Sequence, residues 1–384
     1  MPSSLVTWAL LVIGVSLAFA GLQTIHLLAV LLWEDSRTVG LRYFGQSLEE
    51  RRRFKRTLRA HARLLRPILS AASRLAPFDF ERASFSYRGI SAPKGSCSPE
   101  SFERAVAYEP RADDVFVVTQ MKSGTTWMQH LVYQLFLRGK GDLTESGQAL
   151  YAVSPWLEGR KSVPLDAAAP LGDDRPSRLI KTHLPARLCP WDARARYIYV
   201  ARHPVSCFAS CADFIAENAG RFSPDPETLE RWFCSEKMWW GSWPSHVEGW
   251  WRRARESDQV LFVHFEEMKL DLAAVARQVA DFLGLSPPGT QELQRILGKC
   301  GFEEMRSHAE SFEMHPPHIL ATHARLFVRG AADRHADVPA AVGRRIGAWC
   351  AQELEGASYP LEPMYPDVAA FSGECGPAAP ADRR

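Results

Sequence analysis

The segment that most constrains the fold runs from Val115 to Phe136, where an apolar, β-branched stretch gives way to a lysine and small hydroxyl residues and then to an amphipathic pattern. The stretch from Val115 to Thr119 is typical of a buried parallel strand. Apolar residues then repeat at helical spacing, at Met128, Leu131, Val132, Leu135 and Phe136. The pattern predicts a strand, a tight turn and a helix in succession.

The turn between them has the composition of an anion-binding site and reads Met121-Lys122-Ser123-Gly124-Thr125-Thr126-Trp127. Gly124 lets backbone N–H groups approach an anion, the hydroxyls add donors and Lys122 adds positive charge. The helix that follows would direct its positive dipole end at the same anion. This is not the nucleotide-triphosphatase loop, because Lys122 precedes the glycine. On this motif alone, an ordinary strand-to-helix turn is the alternative.

The turn, with tryptophan directly after it, resembles the 5′-phosphosulfate loop of sulfotransferases, which use 3′-phosphoadenosine-5′-phosphosulfate (PAPS). The resemblance extends over roughly residues 76–365 through further segments in the family's order. It implies an α/β fold with a P-loop-like central parallel sheet flanked by helices and ligands at the carboxyl ends of the strands. The expected strands lie at about 115–119, 178–182, 196–201 and 260–265. The loop residues implied to bind the cofactor are Lys122, Ser123, Gly124, Thr125, Thr126 and Trp127.

A second segment, Lys181-Thr182-His183-Leu184-Pro185, resembles the K-T-H-x-P segment of cytosolic-type sulfotransferases, which carries their catalytic base. An acceptor hydroxyl must lose a proton as it attacks sulfur, and histidine, with an unperturbed pKa of about 6.5, suits that task. His183 is therefore the expected base. Lys122 and Lys181 are expected to neutralise charge on the bridging and sulfuryl oxygens, since such transfers depend on electrostatic stabilisation.

Three further segments concern the nucleotide. Arg202 and Ser210, eight residues apart, match the family's 3′-phosphate ligands, and the planar arginine fork suits phosphate. Phe265 stands where the family usually has a tyrosine, and the resemblance implies that it lies at the cofactor without that hydroxyl. Phe302 matches the phenylalanine that packs against adenine, so Trp127 and Phe302 are expected to sandwich the base.

The last family segment is the weakest match. Phe327 to His335 resembles R-K-G-x-x-G-D-W, but it has one basic residue before its glycine, no second glycine and no tryptophan. Arg329 and Gly330 are the expected 3′-phosphate ligands here. The dimer motif of some relatives is absent from residues 336–347, and no oligomeric state is predicted.

Composition narrows the class of protein. The formal net charge is only +2, so global electrostatics indicate no nucleic-acid partner. The eight cysteines show neither a CxxC pair nor zinc spacing, which favours reduced thiols and no metal, although an even count leaves disulfides open. Residues 76–371 are expected to form the sulfotransferase domain. Residues 372–384, rich in proline, alanine and glycine, are expected to form a disordered tail.

The N-terminus predicts a membrane anchor over residues 1–33. From Leu5 to Trp33 there is no Asp, Glu, Lys or Arg, and about 20 such residues span a bilayer. A secretory signal peptide is the competitor, because Ala18-Phe19-Ala20 before Gly21 resembles a cleavage site. Against it, the first residues carry no positive charge and the apolar character continues past that site.

Residues 34–75 form a basic juxtamembrane segment that predicts the orientation of the protein. Many arginines follow the apolar span and no charged side chain precedes it, so the positive-inside rule places the domain in the cytoplasm. The Golgi lumen is the alternative. The part from Ser47 to Leu75 suits a basic amphipathic helix lying on anionic lipid, and a solvated linker helix explains it equally well.

Together these features predict a single-pass membrane enzyme that moves a sulfuryl group from PAPS to a hydroxyl or amine. Aromatic density between Trp232 and Trp251, including Trp239-Trp240, suggests a small-molecule or lipid-like acceptor. One alternative is a P-loop kinase, which predicts magnesium-dependent ATP binding. The other is a membrane-anchored nucleotide-binding protein without activity, which Phe265 and the shortened loop at Gly330 favour.

Overall fold

The computed structural model describes residues 2–37, 41–76, 78–168, 170–172, 176–314, 316–321, 327 and 334–371. Within these residues the strands are β1 Ser84–Tyr87, β2 Ile90–Pro93, β3 Asp114–Thr119, β4 Arg178–Thr182, β5 Arg196–Ala201 and β6 Val260–His264. Strands β1 and β2 form an antiparallel hairpin. The predicted tail at residues 372–384 lies outside the described residues, as does Cys375.

The other four strands form a parallel sheet in the order β4-β3-β5-β6. All six residues of β3 and all five of β4 are buried, as expected of strands covered on both faces. The predicted central parallel sheet is therefore confirmed, with strand bounds within a residue of those expected. Val117 pairs with both Lys181 and Ile198, so the carboxyl ends of three strands share one edge.

Helices flank this sheet. Those before β3 are α1 Pro2–Arg37, α2 Leu41–Phe44, α3 Leu48–Leu64, α4 Arg66–Leu75, α5 Phe80–Ala83 and α6 Pro99–Val106. Those up to β6 are α7 Thr125–Phe136, α8 Leu150–Val153, α9 Pro204–Ala219, α10 Pro226–Phe233 and α11 Trp243–Glu256. The remainder are α12 Phe265–Leu270, α13 Leu272–Phe282, α14 Thr290–Lys299, α15 Phe302–Ser307, α16 Ala340–Glu353, α17 Leu361–Met364 and α18 Pro366–Ala369. Helices α7, α11 and α13 contact the sheet.

Helix α1 is the candidate membrane span. Residues Ser4–Asp35 form the one helix in the described part of the chain that is long and apolar enough to cross a membrane. At 1.5 Å per residue its 32 residues extend about 48 Å, more than the roughly 30 Å hydrocarbon core. The helix can therefore span a bilayer and still project beyond it. Length and composition alone would also suit a signal sequence.

The basic segment after α1 folds as two helices, α3 and α4. Their apolar side chains Phe54, Leu58, Leu65 and Leu69 are buried within the protein. Protein contacts therefore cover this apolar face. The seven cysteines among the described residues are buried and free.

Candidate active site

A cavity of about 490 Å³ opens beside the carboxyl ends of the strands. The predicted site residues that line it are Lys122, Gly124, Thr125, Thr126, Trp127, Lys181, His183, Arg202, Ser210, Phe265 and Phe302. Ser123 is buried behind the turn instead, where its hydroxyl lies 3.9 Å from the Cys207 thiol. Arg329 and Gly330 lie outside the described residues. Tertiary folding thus gathers segments that are far apart in the chain.

The turn after β3 is shaped by two residues with left-handed backbone. Gly124 has φ +99°, and a Cβ there would lie 2.6 Å from the Phe265 ring. Lys122 has φ +66°, a conformation that costs a non-glycine residue about 1–3 kcal/mol. The N-cap of α7 is Gly124, which has no side chain to accept from the first-turn N–H groups. Those N–H groups lack intrahelical partners and suit an anion.

Lys181 brings a buried cation to the cavity. Its Nζ lies 3.5 Å from the centroid of the Trp156 ring and, within the described residues, has no hydrogen-bond partner. Burial lowers its pKa to about 7, against the raising effect of the Glu158 carboxylate. A buried ammonium with unused donors is suited to bind an anion.

Lys122 supplies a second cation from the turn. Its Nζ lies 4.8 Å from the centroid of the Phe214 ring. Loss of solvent contact lowers its pKa to about 8, and the nearby Arg202 acts in the same direction. Both lysines would gain charge stabilisation from an anionic ligand, because opposite charge favours the protonated form.

The contacts of His183 determine its tautomer. Its Nδ1 donates to the Thr119 carbonyl at 2.9 Å, which leaves Nε2 as the unprotonated nitrogen. The ring is buried, with centroids 5.5 Å from Trp156 and 4.8 Å from Trp240. Burial, and then the charge of Lys181, lower the His183 pKa well below its usual value. The imidazole is therefore neutral at pH 7, the state that accepts a proton.

Glu158 holds the turn that presents these residues, and sequence reasoning missed it. Its carboxylate accepts from the His183 backbone N–H at 2.7 Å and from the Thr182 hydroxyl at 2.8 Å. The preceding residues pair along β4, with Lys181 N–H donating to the Pro155 carbonyl at 2.8 Å. In the sequence, Glu158 is a single acid after the short apolar stretch Trp156-Leu157. No motif or periodic pattern marks it as a site residue.

The far end of the cavity is also cationic. The Arg202 guanidinium donates to the Lys122 carbonyl at 3.0 Å and lies 4.3 Å from the centroid of the Phe265 ring. Ser210 follows two helical turns along α9 and also lines the cavity. The buried Arg334, paired with Asp213 at 2.6 Å, joins this wall and was not predicted as a site residue.

Two aromatic rings border the remaining side. The indole N–H of Trp127 donates to the Cys300 carbonyl at 2.9 Å, which fixes the ring. The Lys269 ammonium lies 5.2 Å from the centroid of Trp127 and 5.9 Å from that of Phe302. Both rings thus border the space near this ammonium. Rings so placed suit a flat base.

This arrangement defines a class of protein. An anion-binding turn at a helix N-terminus, buried lysines and a neutral histidine beside a flat-base pocket describe an α/β group-transfer enzyme that handles an anionic nucleotide.

Comparison with known proteins identifies the family. The sequence profile described as "Sulfotransferase domain" matches residues 112–357. Sulfotransferase 1C2 of Oryctolagus cuniculus is 33% identical over 210 residues, which cover 53% of this chain and 69% of that protein. Sulfotransferase 1E1 of Homo sapiens is 29% identical over 235 residues, 59% of this chain and 78% of that protein. The chain therefore belongs to the sulfotransferase family.

Solved structures agree at the level of the fold. Mouse sulfotransferase SULT7A1, complexed with PAP, has a TM-score of 0.56 at 21% identity, covering 75% of this chain and 99% of that one. Retinol dehydratase, in a complex with retinol and PAP, has a TM-score of 0.58 at 19% identity, covering 74% and 98%. These similarities confirm the sulfotransferase fold.

The close packing of Gly124 on Phe265 predicts that Gly124→Ala destabilises the protein by at least about 1 kcal/mol, because the new Cβ meets the ring and φ is left-handed. Gly298→Ala is the matched control: it lies in α14 with open space around it, and alanine should be neutral or stabilising there. Urea unfolding of the full-length protein in detergent, followed by circular dichroism, measures both. Equal midpoints for Gly124→Ala and wild type would contradict this account of the turn.

Proposed function

We propose that this protein transfers a sulfuryl group from PAPS to a hydroxyl or amine of a small-molecule acceptor, with His183 as the base. The observation that carries the proposal is the buried Lys181 ammonium, without a hydrogen-bond partner in the described residues, beside a neutral histidine in one cavity. Family membership and the PAP-bound fold neighbours support the choice of nucleotide.

The cationic turn and the far wall would hold the two ends of the cofactor. The turn from Lys122 to Trp127 suits the 5′-phosphosulfate, and Arg202 with Ser210 suits the 3′-phosphate. The proposed role of Arg329 and Gly330 at the 3′-phosphate rests on the sequence alone. Trp127 and Phe302 would hold adenine, with Phe265 packed against the turn instead of offering the family's tyrosine hydroxyl.

The proposed chemistry is an in-line displacement at sulfur. His183 Nε2 takes the acceptor's proton as the bond from acceptor to sulfur forms and the bond from sulfur to the bridging oxygen breaks. Lys122 and Lys181 balance the negative charge that the departing phosphate gains. Because lysines supply this charge, the proposed reaction needs no magnesium, which separates it from kinase chemistry.

The acceptor side of the cavity is largely apolar. Trp156 and Trp240 lie next to His183, and Trp239 and Phe78 line the same cavity. Retinol dehydratase is described in complexes with retinol and with androsterone, which are apolar alcohols. A small apolar alcohol is therefore the acceptor type that this wall would accommodate.

Nucleotide binding and turnover test the proposal. Isothermal titration calorimetry should show 3′-phosphoadenosine-5′-phosphate (PAP) binding without magnesium, weakened about 10–100-fold by Arg202→Ala through loss of charged hydrogen bonds. Arg194→Ala is the control, because Arg194 is exposed and lies outside the cavity.

His183→Asn should keep PAP affinity while turnover of a phenol such as 2-naphthol falls about 10²–10⁴-fold. Preference for magnesium-ATP would favour the kinase; binding without turnover would favour a non-enzyme.

The lowered lysine pKa values predict a pH dependence of PAP affinity. Bound phosphate favours the charged lysines, so affinity should be highest below the Lys181 pKa of about 7 and fall as pH rises through the Lys122 pKa of about 8. Each lysine can contribute up to about tenfold per pH unit. Calorimetry between pH 7 and 9 should also show proton uptake. Arg202→Ala should lower the affinity and displace its fall to higher pH, because Arg202 no longer lowers the Lys122 pKa. An affinity independent of pH would exclude this role for the lysines.

The arginines that follow α1 favour a cytoplasmic domain with α1 as a single-pass anchor. We therefore expect protease added to sealed microsomes to digest the domain without detergent. Protection until detergent is added would place the domain in the lumen, as in the Golgi alternative.

A further inference from the structure

Helix α1 divides into two parts at Gln23. Residues 4–22 are exposed along their whole length, whereas Gln23 is buried. The Gln23 side-chain amide donates to the Leu64 carbonyl at 2.6 Å and accepts from the Ile68 N–H at 3.3 Å. Nineteen residues extend about 28 Å, close to the hydrocarbon thickness. The membrane part of α1 therefore ends where the amide is held by the junction of α3 and α4.

The second part of α1 is packed onto the domain. Val30 is buried, and the Trp33 ring centroid lies 5.0 Å from that of Phe54 on α3. The His26 and His61 rings are joined at 2.8 Å between ring nitrogens. Helix α3 thus runs antiparallel along α1, because later residues of α1 meet earlier residues of α3. The anchor continues into the domain as a packed helix instead of a flexible tether.

The end of α1 is connected to the cavity wall. Asp35 pairs with Arg160 at 3.2 Å and Lys161 at 3.7 Å, and Glu34 lies 3.4 Å from His318. Lys161 and His318 both line the cavity. One side of the cavity is therefore held by the helix that enters the membrane.

A second series of contacts connects the cavity to the membrane end of α3 and α4. Arg221 donates to the Ser70 hydroxyl, less than one helical turn beyond Ile68. Gly220 packs so closely on the Leu320 carbonyl that a Cβ would lie 3.2 Å from it. Leu320 lines the cavity and is 37% exposed. A short series of contacts thus connects the cavity rim at Leu320 to the part of α4 that holds Gln23.

The surface beside the Gln23 contacts has the chemistry of a lipid contact. Leu64 is 62% exposed, and Leu75, farther along α4, is 85% exposed. Arg63, Arg66 and Arg74 are exposed between and beside them. Exposed leucines interleaved with arginines suit the boundary between acyl chains and anionic headgroups.

We propose that the acceptor is a membrane amphiphile with a terminal hydroxyl, taken from the bilayer surface contacted by Leu64, Arg63 and Arg66. This inference rests on the proposed function and names the class of its acceptor. The hydroxyl end enters past Leu320 and reaches His183 between the aromatic walls, while the tail extends back toward the bilayer. Rigid attachment of the cavity to α1 keeps the opening at the lipid surface, which raises the effective acceptor concentration.

Position at the membrane is tested without knowledge of the acceptor. The full-length protein with Cys375→Ser is reconstituted in nanodiscs of phosphatidylcholine with phosphatidylserine and a headgroup spin-labelled lipid, and carries a fluorophore on Leu64→Cys, Leu320→Cys or Arg194→Cys. Arg194 is exposed near the opposite edge of the sheet, two residues before β5 begins. The spin label should quench the first two fluorophores and not the third. Equal quenching at Leu320 and Arg194 would overturn the proposal.

Turnover tests the acceptor class. A flexible Gly/Ser insertion of about 20 residues between Leu22 and Gln23 should lower sulfation of 1-hexadecanol in nanodiscs by about tenfold or more, and leave sulfation of soluble 2-naphthol unchanged. Turnover of 2-naphthol alone, or equal sulfation of 1-hexadecanol with and without the insertion, would overturn the acceptor class. Failure of PAP to bind would instead overturn the proposed function.

Discussion

The buried Glu158 carboxylate is the interaction on which the site depends. Its oxygens hold the Thr182 hydroxyl and the His183 N–H immediately after β4, and its charge offsets the burial of the Lys181 ammonium. Burial raises the Glu158 pKa, while hydrogen bonds to its carboxylate and the nearby Lys181 ammonium oppose that rise. Removal of the carboxylate would leave the Thr182 hydroxyl and the His183 N–H without this partner, which usually costs about 1–3 kcal/mol for each buried group. The carboxylate therefore helps to keep Lys181 and the His183 imidazole at the same edge of the sheet.

Phe265 replaces the tyrosine that is usual in the family, and its ring still packs in the cavity wall. Phe265 begins α12, packs on Gly124 and carries the Arg202 guanidinium over its ring. A ring at this position keeps the turn compact and orients the arginine by a cation–π contact. What phenylalanine cannot supply is a hydroxyl. Other groups in the cavity wall, including the Arg334 guanidinium paired with Asp213, add positive charge near Arg202.

The N-terminal helices carry more than an anchor requires. A tether needs only an apolar span and a linker, whereas Gln23, Trp33 and Asp35 are each engaged by the folded domain. A polar amide in hydrocarbon is costly unless it is paired, so the paired Gln23 amide suits the end of a candidate membrane span. This arrangement suits an enzyme whose cavity keeps a fixed position relative to a membrane surface.

The sequence by itself determined the central sheet, the anion-binding turn and the grouping of Lys122, Lys181, His183 and Arg202, because these depend on local signals: strands of apolar residues, a glycine at a turn, and motifs in a fixed order. It also determined that α1 could span a membrane. Only the tertiary structure decided the contacts of Glu158, Arg334 and Gln23, since each is a single polar residue whose partners are distant in the chain. Local patterns specify what a segment can form, and burial beside a particular partner specifies which polar groups are held and which lysines have lowered pKa values.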